Sequence, residues 1–221
     1  TGSAGFSTFN SNGFTLTGGF GKTNSASSTY ASWSFRKAEK FFDVVTFTGT
    51  GSAQTIAHNL GSVPGFYVVK ATSQGSHWVV YSTPTGTQRL RLNTTEAADE
   101  TGFWATAPTS TDFSVSNGDV NTLGVAYVAY LFASGAGGFG ADGTENIIKC
   151  GSLTSSGATY EGTVDLGWQP QYVMVKAVDT TSNWEVYDTM RGMTVEGVTD
   201  ERLFLNLSSA GSSTNGIMLN T

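Results

Sequence analysis

The chain has 221 residues, a formal net charge of −6 and only 13% charged residues, where an average globular domain carries about 25%. An acidic chain without a Lys/Arg cluster repels a nucleic-acid backbone, and no apolar run approaches the roughly 20 residues of a membrane-spanning helix, so neither nucleic-acid binding nor membrane insertion is expected. The single cysteine, Cys150, rules out a disulfide within the chain and suits folding in a reducing cytoplasm, while 28 glycines and abundant Ser and Thr suit many short strands joined by tight turns.

In chain order, residues 1–40 read as the end of a preceding repeat or as a donated strand segment. "NGFTL" (Asn12–Leu16) parallels "TDFSV" (Thr111–Val115) and "NGIML" (Asn215–Leu219). "NSASSTYASWSF" (Asn24–Phe35) parallels "NTLGVAYVAYLF" (Asn121–Phe132), with the same Asn-to-Tyr spacing of six.

Residues 41–134 read as one complete repeat with strands over 43–49, 53–57, 66–71, 77–82, 88–93, 112–116 and 125–133. The turn signals "TGTGS", "GSVPG", "SQGS", "TPTGT" and "SNGD" separate them. "GFYVVKA" is apolar on both faces and predicts a central strand between two layers. "RLRLN" places Leu90 and Leu92 on a core face and Arg89 and Arg91 on a wet one. In "HWVVY", Trp78 and Val80 are expected in the core and position 79 in water. "AYVAYLFA" puts Val128, Tyr130 and Phe132 on one face. The one helix-like stretch is "NTTEAADE", capped by Asn93 or Thr94.

"GAGGFGADG", residues 135–143, reads as a flexible linker, and residues 144–221 as a second repeat lacking its last strand. The second copy restates the first without a gap: Leu60, Pro64, Lys70, Trp78 and Tyr81 recur as Leu166, Pro170, Lys176, Trp184 and Tyr187, an offset of 106. "RLFLN" (Arg202–Asn206) answers "RLRLN" at an offset of 113, the seven extra residues falling in the polar loop "MRGMTVEGVTDE". A period near 100 residues indicates tandem domains rather than a solenoid, whose units run to roughly 20–50 residues. The expected fold is all-β, with tandem antiparallel β-sandwich, jelly-roll-like domains. Trp78 and Trp184 should each be core to its own domain, and the two domains should melt separately. Residues 29–36 should complete a sandwich missing its last strand, either in this chain's second domain or in a neighbouring subunit.

Few residues offer chemistry. "GAGGFG" fits G-x-G-x-x-G at Gly135, Gly137 and Gly140, but no helix pattern follows to hold a pyrophosphate, and a linker is expected. His58 and His77 have no partner at metal-ligand spacing, recur as Val164 and Asn183, and read as surface or turn residues. Acids do not line up between copies; Asp43 has Asn146 as its counterpart. "DGTEN" (Asp142–Asn146) lacks the spacing of a calcium loop. No catalytic, cofactor-binding or metal-ligating residue is therefore assigned, and no cofactor is expected. Trp104 and Trp168 each occur in one copy only, in turn-like contexts, and are the candidates for stacking on a glycan or anchoring a partner.

In combination, "FFDVVTFTGTGSAQTIAHNLGSVPGFYVVK", W-x-V-Y, L-x-L-N, "TSTDFSV" and N-x4-"AYVAYLFA" resemble the repeated β-rich domain of virion structural proteins in tailed bacteriophages, particularly marine ones. The resemblance implies a non-enzymatic tail-fibre or capsid-appendage subunit, made in the host bacterial cytoplasm and residing in the virion. It implies other virion proteins as partners and a homo-oligomer, a trimer by analogy, serving as spacer and in host attachment. The alternative is a lectin-like module that binds host surface glycans through Trp104 or Trp168.

Overall fold

The computed structural model describes residues 6–16, 24–116, 118–155, 162–193 and 200–214. The protein is all-β and antiparallel, of the β-sandwich class, with two compact units, 1–36 and 37–221. The first unit contains a hairpin of β1 (Phe6–Asn10) and β2 (Gly13–Leu16), with Phe9 opposite Phe14. Residues 29–36, expected as a strand, carry none. Strand geometry persists where a ladder satisfies the backbone, and the described residues show no such ladder for this segment.

The second unit holds β3 (Phe42–Thr48), β4 (Gln54–Ala57), β5 (Pro64–Ala71), β6 (Trp78–Ser82), β7 (Leu90–Arg91), β8 (Asp112–Val115) and β9 (Ala126–Ala133). All seven fall on predicted strands of the complete repeat. They form a five-stranded sheet in the order β3-β9-β5-β6-β7 and a two-stranded sheet β4-β8. Side chains alternate across the pleat, and both faces of β5 are covered, as its apolar run required. One face presents Tyr67, Val69, Val79, Tyr81, Tyr127, Ala129 and Leu131 to Ile56, Phe113 and Val115 of the small sheet, with Phe103 and Trp104 closing the core.

The second copy forms β10 (Tyr172–Val175), β11 (Glu185–Asp188), β12 (Asp200–Phe204) and β13 (Ser212–Thr214), paired in that order. Its register repeats the first copy's. Tyr67 faces Tyr81 and Val173 faces Tyr187; Val80 faces Leu90 and Val186 faces Leu203. The offsets of 106 and 113 seen in the sequence are thus offsets of pairing. Local contacts recur too. Lys70 donates to Ser76 and Lys176 to Ser182. The Trp78 N–H donates to the Asn93 side-chain oxygen at 3.0 Å, and that of Trp184 to Asn206 at 2.8 Å. Thr83–Thr85 and Thr189–Arg191 are equivalent 3-10 turns. "NGIML" lies outside the described residues.

Where the expectation was two independently melting domains, the copies share a core. The face of the central sheet carrying Phe66, Val68, Val80 and Leu90 packs against Trp184 and Met174 of the second sheet. The Trp184 indole N–H donates to the Arg91 carbonyl at 2.9 Å, and Ala98 and Ser182 donate backbone bonds to Val178 and Thr95 across the junction. Trp78, expected in the core, is 37% exposed and stacks on Tyr130 with ring centroids 6.3 Å apart. The face it shares is covered by the second copy around Trp184, not around Trp78. Val79, expected in water, is fully buried because the opposite face is the main core.

Two local expectations also change. Asn93–Glu100 is not helical; its acids lie over Arg89 and Arg91, both buried on the face expected to be wet. The Arg89 guanidinium sits 3.8 Å above the Phe103 ring and meets Asp99, Glu100 and Asp119. The 135–143 segment, read as a flexible linker, is a hydrogen-bonded loop. Gly138 donates to the Gly143 carbonyl, Gly137 to the Asn146 side chain and Gly135 to the Ile148 carbonyl, and Ile148 packs on the main core.

Candidate functional site

Trp104 is 3% exposed. Its ring meets Tyr67 edge-on at 5.0 Å and Tyr81 at 5.8 Å, and its indole N–H reaches the Gln88 carbonyl at 3.4 Å. A ring enclosed in this way cannot stack on a sugar, so Trp104 is withdrawn as a contact residue. The "TGFWATAP" context, turn-like as it is, tucks the side chain beneath the sheet. Trp168 lies in the bend before β10 and is half-buried, with its indole nitrogen enclosed and without a hydrogen-bond partner among the described residues. The two tryptophans therefore do not make one platform: the first belongs to the main core and the second to the approach of the second sheet.

His58, read as a surface residue, is buried; its Nδ1 accepts the Leu60 N–H at 3.2 Å. Burial pushes its pKa below the usual value, against the pull of the Thr109 carbonyl and the Asp43 and Asp112 carboxylates. The neutral ring is therefore the form the fold accepts. A histidine with a lowered folded pKa contributes its full stability above the unfolded value of about 6.5, and that contribution is lost as pH falls below it. Urea titrations at stepwise pH are expected to show falling stability below about 6.5, with the slope flattened in His58→Gln. A wild-type stability flat across that window overturns this reading. His77 is exposed and meets the Asn93 side chain at 3.3 Å.

For Asp43, burial opposes ionisation, but the Lys37 ammonium at 2.5 Å and the Asn59 and Val44 N–H groups outweigh it and hold the carboxyl below its usual range. Its carboxylate thus ties the start of β3 to the turn after β4, a structural use that accounts for a fully buried acid. No group of three or more His, Cys, Asp or Glu placed to hold a metal occurs among the described residues. Gly135, Gly137 and Gly140 adopt positive φ in the loop described above, and the next residues run into an isolated bridge between Phe139 and Glu145 rather than a helix. Pro64, Gly65, Pro84, Ser134 and Cys150 line an open surface groove. Burial lifts the Cys150 thiol to about 11, so at neutral pH it is protonated and a poor nucleophile.

What the surface does offer is an aromatic patch and a strand edge. Trp78 and Tyr130 stack on the uncovered part of the central sheet, beside Lys70 and Val128. Sequence reasoning missed this because the repetition of Trp78 as Trp184 read as a shared core role. The second feature is β10, the outermost strand of its sheet among the described residues; its counterpart β5 is flanked on that side by β9. No helix among the described residues is long and apolar enough to cross a membrane.

The fold and surface define an antiparallel β-sandwich protein built from a duplicated strand module, with an exposed aromatic pair and an edge strand among its described residues. The chain belongs to the family described as Domain of unknown function (DUF7483), whose model matches residues 1–219. No curated protein and no solved structure matches it.

Proposed function

We propose that this chain is a non-enzymatic structural component of a bacteriophage virion, a tail-fibre or appendage subunit that acts as a spacer and in host attachment. The observation that carries the reading is the duplicated register: two copies of one module stacked through Trp184, an arrangement suited to extending a rigid β-rich body. The resemblance of the repeated motifs to phage virion domains supplies the setting. Its partners are other virion proteins and further copies of itself, and it works without a cofactor. Immunogold labelling and mass spectrometry of purified particles from the source encoding the chain are expected to place it on an appendage. Its absence from particles overturns the proposal.

A second reading, a module recognising host surface glycans, is favoured by the exposed Trp78–Tyr130 stack rather than by Trp104. An aromatic face of this kind packs on the apolar side of a sugar ring. In a glycan array, binding that Trp78→Ala removes and Trp168→Ala leaves intact supports it; no binding by the wild type overturns it.

A further inference from the structure

The chain carries two segments of the β9 pattern and two strands of the β5 pattern, yet one β5–β9 pair forms among the described residues. In the complete copy, the Thr72 N–H donates to the Ala126 carbonyl at 2.8 Å. That fixes the phase of the ladder, so Phe66, Val68 and Lys70 aim their backbone groups at β9, opposite Phe132, Tyr130 and Val128. In the second copy, the Thr189 N–H donates to the Gln171 carbonyl at 3.1 Å. Val173 and Val175 therefore bond to β11, and Met174 aims its backbone groups at the outer edge. Val175 is 38% exposed where its counterpart Val69 is 1% exposed.

Residues 24–30 are built like the corner that leads into β9. The Ser25 N–H donates to the Tyr30 hydroxyl at 2.9 Å, as the Thr122 N–H does to the Tyr127 hydroxyl at 2.9 Å. The Ser28 N–H donates to the Ser25 carbonyl at 3.3 Å, as that of Val125 does to Thr122 at 3.1 Å. Ser27 holds a φ of 63° at the place where Gly124 holds 77°. A serine is strained there and a glycine is not, so the corner is kept despite the residue. All these correspondences lie at one offset, 97 residues. In the complete copy this corner delivers a strand to β5; at the front it delivers Thr29–Phe35, exposed and without strand structure.

The geometry points to strand addition between copies: residues 29–35 of one molecule pair with β10 of a second copy, Ala31 opposite Lys176, Trp33 opposite Met174 and Phe35 opposite Tyr172. The register is that of β9 on β5, the interface this addition repeats. Residues 29–35 carry no charge, and the one charged residue they would face, Lys176, takes the place that Lys70 holds opposite Val128 in the complete copy. The main-chain ladder supplies affinity and the alternate side chains supply the register. Donor and acceptor are different surfaces, so the contact is head-to-tail: it gives a ring or a reciprocal exchange where the rotation closes and an open filament where it does not. The inference goes beyond the virion reading and holds whatever the larger assembly is.

Ser32 and Val175 take the places of Ala129 and Val69, an opposed pair that exchanges no hydrogen bonds with each other, the closer of the two antiparallel spacings and the one that suits a disulfide. Chains carrying only Ser32→Cys are mixed with chains carrying only Val175→Cys under mild oxidation. The expected result is a covalent heterodimer of the two species, with a mass in ultracentrifugation that rises with concentration before oxidation. Ser28→Cys in place of Ser32→Cys, outside the paired stretch, should lose the cross-link. Ala31→Pro removes an N–H aimed at β10 and should abolish the heterodimer, whereas Ser34→Pro removes one aimed at the opposite edge and should retain it. These donor positions are exposed, so the fold is not at stake. Absence of the heterodimer, or equal yield with Ser28→Cys, overturns the proposal.

Discussion

Trp184→Ala is expected to lower the unfolding free energy by about 3–5 kcal/mol and to weaken both copies together. The side chain is 3% exposed, and its ring fills the space between the two sheets, against Val68, Val80 and Leu90 of the first copy. Truncation leaves a cavity that neither sheet can close alone and strips the Arg91 carbonyl of its indole donor. Because the second copy packs almost no other large side chain into this cluster, the docking of one sheet on the other depends on it. Calorimetry should show one transition for residues 37–221, shifted as a whole. A transition that splits, with the part assigned to the first copy unmoved, would show the copies to be independent. Trp78→Ala, at the equivalent place in its own copy, should cost less than Trp184→Ala, since its ring is 37% exposed and its removal leaves no enclosed cavity.

Asn121→Ala is expected to cost about 1–3 kcal/mol, the range for buried polar groups left without partners. Asn121 is fully buried. Its Oδ1 accepts from the Thr50 N–H at 2.9 Å and from the Gln54 side chain at 2.6 Å, and its Nδ2 donates to the Ser52 carbonyl at 2.6 Å. Without the amide, the turn between β3 and β4 loses its side-chain ties to the corner before β9 and keeps only backbone bonds such as that from the Gly49 N–H to the Val125 carbonyl. The crossing has no slack: a Cβ on Gly49 would sit 2.1 Å from the Thr122 carbonyl oxygen. Asn24→Ala, at the matching place in the front segment, should change stability by less than about 0.5 kcal/mol, because Asn24 is exposed. Urea midpoints for the two variants measured side by side decide it; equal losses would refute the assignment.

The strand pattern of the first copy could be read because short strands with alternating side chains between glycine turns leave an unambiguous period. The register of the second copy could be read because identical residues at fixed offsets pair identically. What could not be read was the neighbour of each face. Trp78 and Trp184 are the same residue in the same local setting, and only the stacking of one sheet on the other makes the second a core residue and the first a surface one. Arg89 and Arg91 alternate with leucines as solvent-facing residues do, and the carboxylates that bury them lie in a segment whose composition suggests a helix. Trp104 was misplaced for a related reason: a turn-like sequence does not say on which side of a sheet the turn will fold. His58 carries no mark of its burial, since a lone histidine in "AHNL" is compatible with either environment.

The strand order β3-β9-β5 has a consequence for how the chain is made. Phe42 pairs with Phe132, and Phe66 pairs with Phe132 from the other side. The strand that joins β3 to β5 is thus the last of the seven to leave the ribosome. Until residue 133 emerges, the nascent chain holds two apolar strands whose facing edges await the same insert. Such long-range closure is slow and leaves unpaired edges open to the wrong strand. The segment of β9 pattern already present at that point is the chain's own front, residues 29–35, which leaves the ribosome before β3. The final insertion of β9 therefore competes first with that tethered segment, and only then with the fronts of other copies.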